Sequence, residues 1–345
     1  MKLITCGVMA AALLLSYASG TNAQDKSPSG YHVLKSDSLG GEGGWDFITF
    51  DGTANRLFIS RATHVIVFDL STSKVAGDIP NTTGVHGIAL DEEQGEGFTS
   101  NGRDSSVTVF DLKSLAVLGQ VRVGQNPDDI FYDPASKHVF TLNGGSQDAS
   151  VIDPKDNKVV GSMKFNGRPE FAVTDGQGHY WVDLEDSSKI VTFDSRTLNI
   201  GSTWPLAPGE EPTGMALDTK HNRLFVGCAN KIMVIMDAGN GHVITTVPIG
   251  SRVDGLGFDP ESGLVFSSNG EGTLTVVRQE SADKYTVLEN VATKAGARTM
   301  ALDPKSHRIY TMTADFGPAP APTPDHPHPR PTILPGSFVL LTIGK

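Results

Sequence analysis

The sequence predicts an all-β protein, a seven-bladed β-propeller of four-stranded antiparallel blades, closed by the N-terminal strand in blade seven. Three observations predict it. An apolar segment ending in Asp recurs seven times, at Asp51, Asp91, Asp133, Asp175, Asp218, Asp259 and Asp303, with intervals of 40, 42, 42, 43, 41 and 44 residues. Each interval has room for four short strands, the spacing of a propeller blade. The composition, 38 Gly and 20 Pro in 345 residues, suits a chain of many reversals.

The elements follow in order within each repeat. The first strand is the apolar anchor, as in Phe47-Ile48-Thr49-Phe50-Asp51 and Gly87-Ile88-Ala89-Leu90-Asp91. A second strand begins within roughly ten residues of the anchor, as in Arg56–Ser60, His138–Leu142 and Arg223–Gly227. The third ends in another Asp, as in Val65–Asp69, Val107–Asp111 and Ile190–Asp194. The fourth closes the unit, as in Val117–Val123. These runs are rich in Val, Ile, Phe and Thr, which fit a pleated sheet. Asp-Pro, Asn-Gly and Asp-Gly pairs supply the turns between them. No segment keeps a long 3.6-residue periodicity, so essentially no helix is expected after the leader.

The two ends of the chain fit one another. The seventh repeat offers Thr299–Leu302, Arg308–Met312 and Ser337–Ile343, one strand too few. A spare strand, Tyr31–Lys35, precedes the first repeat and is expected to complete blade seven. Before it, Lys2, an apolar run from Val8 to Leu15 and small residues up to Ala23 read as a signal peptide over residues 1–23. That apolar run is too short to span a bilayer. The expected product, residues 24–345, is one propeller with a periplasmic or secreted location. Removing Lys2 changes the formal charge from −11 (28 − 39) to −12 (27 − 39). Such a charge disfavours nucleic acid. With 38% hydrophobic and 19% charged residues, the chain is also unlike a disordered one.

Two local features stand out. Blade seven carries a Pro-rich insertion at 317–335, with eight prolines between 318 and 335, expected to be extended and to project from the face where second and third strands join. Its Asp325-His326-Pro327-His328 stretch reads as a solvated loop, with two His that could hold Cu²⁺ or Zn²⁺. After the leader, Cys228 is the one cysteine, so no intrachain disulfide forms. It reads as a small buried apolar residue.

The repeat unit resembles the YVTN-type β-propeller repeat. The match is carried by Val109-Phe110-Asp111, Val123-Gly124-Gln125-Asn126-Pro127, Ile130-Phe131-Tyr132-Asp133-Pro134 and Phe140-Thr141-Leu142-Asn143. The chain is similar over all seven units to YncE-like secreted bacterial proteins. That resemblance implies the propeller fold and an envelope binding role. Some members of that group carry a second Cys before the Glu-Pro-Thr-Gly turn; Gly209 stands there in this chain.

Candidate site residues come from the repeat itself. Propellers place ligands where the first strands begin, and one position lies five residues before each anchor Asp. Round the ring it reads Asp46, His86, Asp128, Glu170, Thr213, Asp254 and Arg298. Six of the seven can carry charge. Carboxylates crowded into one mouth repel, and a bound cation, protonation or Arg298 relieves the repulsion. Asp46, His86, Asp128 and Glu170 form the candidate metal set: oxygen ligands suit Ca²⁺, and His86 adds Zn²⁺ or Mn²⁺. The alternative is a solvated rim around a water-filled channel. Arg103, Asp183 and Glu185 are expected nearby. The Asn-Gly pairs at Asn101, Asn143 and Asn269 read as turns, the periodic aspartates as turn caps, and Trp45, Trp181 and Trp204 as packing.

Two functions follow. The first is a non-catalytic binding or interaction protein, taking a small molecule, a cation or an envelope protein, and acting as a monomer. The second is a metal-dependent hydrolase such as a lactonase, with a divalent cation polarising a carbonyl and a mouth carboxylate as base. No Gly-x-Ser-x-Gly elbow and no Gly-rich phosphate loop appears.

Overall fold

The computed structural model describes residues 29–321, Thr323 and residues 331–345. The expected signal peptide at 1–23 and the His-containing stretch at 325–330 lie outside the described residues. Strand β1 (His32–Ser38) precedes the first blade. Blade one is β2 (Ile48–Asp51), β3 (Arg56–Arg61), β4 (His64–Asp69) and β5 (Lys74–Ile79). Blade two is β6 (Val85–Asp91), β7 (Glu96–Asn101), β8 (Ser106–Asp111) and β9 (Val117–Arg122). Blade three is β10 (Pro127–Asp133), β11 (His138–Asn143), β12 (Asp148–Asp153) and β13 (Lys158–Lys164). Blade four is β14 (Pro169–Thr174), β15 (His179–Leu184), β16 (Lys189–Asp194) and β17 (Asn199–Pro205), with one 3₁₀ turn at Glu185–Ser187. Blade five is β18 (Pro212–Asp218), β19 (Arg223–Cys228), β20 (Ile232–Asp237) and β21 (Val243–Pro248). Blade six is β22 (Val253–Asp259), β23 (Leu264–Asn269), β24 (Thr273–Ser281) and β25 (Lys284–Ala292). Blade seven is β26 (Met300–Asp303), β27 (Arg308–Thr313), β28 (Val339–Gly344) and β1.

Turn chemistry explains the regularity. Asp51 Oδ1 accepts the N–H groups of Thr53 and Ala54, and Asp218 Oδ1 those of Lys220 and His221. Four residues after the anchor the backbone turns left-handed, at Asn55, Lys137, Asn222 and His307, with Gly95 and Gly263 in the same place. The second set repeats the device: Asp69 caps Ser71 and Thr72, and Asp194 caps Arg196 and Thr197. The periodic aspartates are structural caps.

The core lies between blades. Leu57, Ile59 and Phe68 of blade one pack on Tyr310, Met312 and Leu340 of blade seven. Phe58, Val67 and Ile79 face Val85, Ile88 and Phe110 of blade two across the next layer. Similar layers fill each remaining gap. Fully burying one such side chain stabilises by roughly 1.5–3 kcal/mol, so the ring depends on every blade meeting both neighbours.

Closure is as expected. β1 pairs antiparallel with β28, from His32 opposite Gly344 to Ser38 opposite Val339. Tyr31, just before it, is buried, sits edge-on to Phe266 at 5.0 Å, and donates to the His307 carbonyl. β1 becomes the outermost strand, so it covers β28 while its own outer edge faces solvent. Arg61, fully buried, secures the segment after β1: Nη1 and Nη2 donate to the Gly43 and Gly40 carbonyls, and its guanidinium lies 3.8 Å from the Phe338 ring centre. Among the described residues, no helix is long and apolar enough to cross a membrane.

Candidate functional site

The seven first strands line the inner ring, each beside the next. In five of them the pairing with the second strand slips just where the candidate position falls. Val85 pairs with Asn101 and Ile88 with Thr99, so His86 and Gly87 together oppose Ser100. The same slip occurs in β10, β14, β18 and β22. Such bulges bend the strand and re-aim a side chain. Ser100 holds one bulge by accepting the Gly87 N–H and donating to the Asp128 carbonyl of the next blade.

The ring positions meet in a chain of alternating charge. Arg298 Nη1 binds Asp254, and its Nη2 lies 2.9 Å from Asp46 Oδ1. The other Asp46 oxygen lies 2.5 Å from His86 Nδ1, which is 3.4 Å from Asp128 Oδ1. Three carboxylates and two cations from five consecutive blades, six, seven, one, two and three, thus form one relay: Asp254, Arg298, Asp46, His86, Asp128. Blade five contributes Thr213, whose hydroxyl donates to the Val253 carbonyl and ties blade five to six. Glu170 stands apart from the relay in a second group, with Arg168 3.1 Å away; Arg168 also reaches Glu185 at 2.5 Å.

Burial and proximity move the protons. Burial opposes the His86 imidazolium, but the Asp46 hydrogen bond and the charges of Asp128, Asp46 and Glu170 outweigh it, and its pKa rises to about 9. Burial pushes the Asp128 carboxyl well above its ordinary range, with Glu170 adding repulsion. Burial lifts Asp254 to about 7 despite Arg298. Glu170 and Glu185 are raised mainly by burial as well. At neutral pH the mouth therefore holds protons that isolated carboxylates would release.

The remaining expected residues are placed as follows. Asp183 is fully buried: Oδ1 accepts the Phe171 N–H at a bulge, the task Ser100 performs in blade two, while Oδ2 has no hydrogen-bond partner among the described residues. Arg103 is exposed on the turn after β7, with its side chain beside Gly84. Asn101, Asn143 and Asn269 are buried strand ends that bridge to the third strand, through Thr108, Ser150 and Thr275. Cys228 is buried, and burial pushes its thiol up to about 12. Trp181 packs in the core and donates to the Ala238 carbonyl.

As metal ligands, Asp46, His86 and Asp128 fit best: one donor atom from each lies within 4.8 Å of the others. Glu170 is not in that group. Because the pKa of His86 is raised, a cation at this site would compete with the proton of its imidazole.

Several site residues had no signal in the repeat. Arg168 and Asp129 lie outside the five-before-anchor position; Asp129 accepts from Ile130 and Ala172. A cleft of about 590 Å³ opens beside the relay, between blades six and seven and the foot of the Pro-rich insertion. Trp45, expected only to pack, forms part of its wall. The insertion's ends are fixed by a bridge between Phe316 and Ile333, and by Gly317 and Leu334 donating to the Thr332 and Asp315 carbonyls.

No protein-family model matches the chain, and no curated protein matches it. Its likeness is to solved structures. A chain in the crystal structure of the mitotic checkpoint complex superposes with a TM-score of 0.72 at 15% identity, covering 89% of this chain and 96% of the other. A chain of Kuenenia stuttgartiensis hydrazine synthase does so with a TM-score of 0.70 at 16% identity, covering 86% and 96%. At such identities the likeness concerns the propeller fold alone.

Proposed function

We propose that this chain is an exported, non-catalytic binding propeller of the YVTN, YncE-like kind, which holds a small molecule or a cation in its central mouth. The observation that carries the reading is the relay from Asp254 to Asp128, set in the mouth beside an open cleft. Closing a ring does not call for buried charge, because apolar residues of similar volume stabilise as well or better. Concentrating five ionisable groups from five blades in one mouth makes sense where a polar ligand is to be met. The motif around Asp133 and the apolar run from Val8 to Leu15 before Ala23 support the family and the export.

The test is native mass spectrometry of the purified protein, searching for a co-purifying small molecule or ion. The expected result is a retained species that an Asp128→Ala/Glu170→Ala double variant loses while still folded. A folded double variant that keeps the species overturns the mouth as the site.

A second reading, a metal-dependent hydrolase, is favoured by the closeness of the Asp46, His86 and Asp128 donor atoms. Those residues would hold a divalent cation, which would polarise a substrate carbonyl; Glu170 is the candidate base. Metal content below roughly a tenth of an equivalent, with no thermal shift from Ca²⁺, Mn²⁺, Zn²⁺ or Cu²⁺, argues against it.

A further inference from the structure

We infer that the cleft beside the mouth is a specific subsite for a small, flat, apolar molecule bearing an anionic group, with Arg252 as its recognition residue. The inference rests on the reading of the mouth as a binding site and names the ligand class.

Three observations converge. The first is size and shape. The cleft volume, about 590 Å³, falls within the ~300–1,000 Å³ usual for small-molecule sites. Its walls come from separate places in the sequence, Trp45 before β2 and Phe316, Pro331 and Ile333 at the two ends of the insertion.

The second is a preorganised aromatic wall. Trp45 lies 5.9 Å from Phe316 and 5.2 Å from Phe338, ring centre to ring centre. Phe338 is buried and backed by the guanidinium of Arg61. The Phe316–Ile333 bridge fixes the opposite side. Flat rings stack on such a wall with little further ordering.

The third is charge. Two guanidinium groups and one carboxylate line the cleft: Arg252, Arg298 and Asp254. Arg298 and Asp254 are bound to each other, and Arg298 also holds Asp46. Among the described residues, the Arg252 side chain has no ion pair and makes one hydrogen bond, to the Gly270 carbonyl. Most of its donors remain available in a fork that suits a carboxylate or sulfonate. Arg298 is thus matched by two carboxylates, whereas Arg252 has none among the described residues: an apolar cation would be repelled by Arg252, and an apolar anion would complete it.

The test uses three probes of one shape: 1-naphthoate, 1-naphthalenemethanol and 1-naphthylmethylammonium. Binding is measured by calorimetry on the full protein and on Arg252→Gln, Arg252→Lys and Phe316→Ala. Naphthoate is expected to bind about tenfold more tightly than either other probe, a preference that Arg252→Gln abolishes and Arg252→Lys partly restores. Phe316→Ala is expected to weaken all three probes alike. Tighter binding of the ammonium probe, an Arg252→Gln variant that keeps the naphthoate preference, or no binding of any probe overturns the inference. The wider reading is judged separately. If Arg252→Gln keeps a co-purifying species that Asp128→Ala/Glu170→Ala loses, the cleft assignment falls and the mouth stands.

Discussion

His86 Nδ1 lies 2.5 Å from Asp46 Oδ2, although the two residues are 40 positions apart on different blades. The same Asp46 carboxylate uses its other oxygen for Arg298, 252 positions away. One side chain thus joins blade one to blade two and to blade seven, where the ring closes. Removing its charge should be felt on both sides.

Asp46→Asn should lower stability by about 1–3 kcal/mol, because two cations lose a shared anion and one amide cannot accept from both as well. It should also return the His86 pKa toward the ordinary ~6.5. Chemical denaturation and an NMR titration, with the His86 signal assigned through His86→Gln, measure both. A His86 pKa unchanged near its present value would mean that Asp46 does not hold the proton.

Stability should fall as pH rises from about 4 to 9. The sign follows from the shifts. Asp254 and Asp129 have folded values of about 7, raised mainly by burial, so their contributions are full below the ordinary ~3.9 and lost as pH rises through 7. His86, at about 9, contributes fully below ~6.5 and loses that contribution as pH rises through 9. Asp133, Asp218 and Asp259 run the other way: burial opposes them, but their hydrogen bonds prevail and depress the pKa. Their contributions are lost only in strong acid, below ~3.9. The optimum should therefore lie at about pH 4, and His86→Gln should flatten the decline between ~6.5 and 9. Thermal unfolding across this range tests it; a rise in Tm from pH 6 to 9 would contradict the assignment.

Tyr31→Ala should cost about 3 kcal/mol, since the ring is buried against Phe266 and its hydroxyl is bonded. Deleting residues 29–38 should do far more, by stripping β28 of its partner and opening the gap between blades six and seven. Thermal unfolding separates the two. A deletion variant with unchanged Tm would show that closure does not stabilise the ring.

Gly209→Cys should form a disulfide with Cys228. A Cβ placed on Gly209 would lie 2.6 Å from the Cys228 sulfur, so close that the sulfur must shift to form the bridge, and Gly209 has no left-handed backbone to oppose a side chain. The bridge closes a short loop and should stabilise by about 2–3 kcal/mol, less any strain from Val234 and Leu206. Loss of both thiols to alkylation, restored by reductant, measures formation. Two reactive thiols under oxidising, denaturing conditions would refute it.

Local chemistry made the blades legible in sequence. Strand alternation and Asp-capped turns depend on residues a few positions apart, so the seven anchors, the blade boundaries and the missing strand of blade seven could all be counted. The repeat also located the ring positions Asp46 to Arg298, because equivalent positions in equivalent blades must face the same axis. How those positions interact was decided by the tertiary structure. The relay joins residues on neighbouring blades, and its order depends on bulges that turn the strand starts inward and on the curvature that brings blade seven to blade one. Asp183 entered the core because a bulge N–H needed an acceptor there. The cleft needs Trp45, Arg252 and Phe316 together, and no sequence pattern links residues so far apart. Periodicity fixes what repeats; the ring's closure fixes which unlike residues meet.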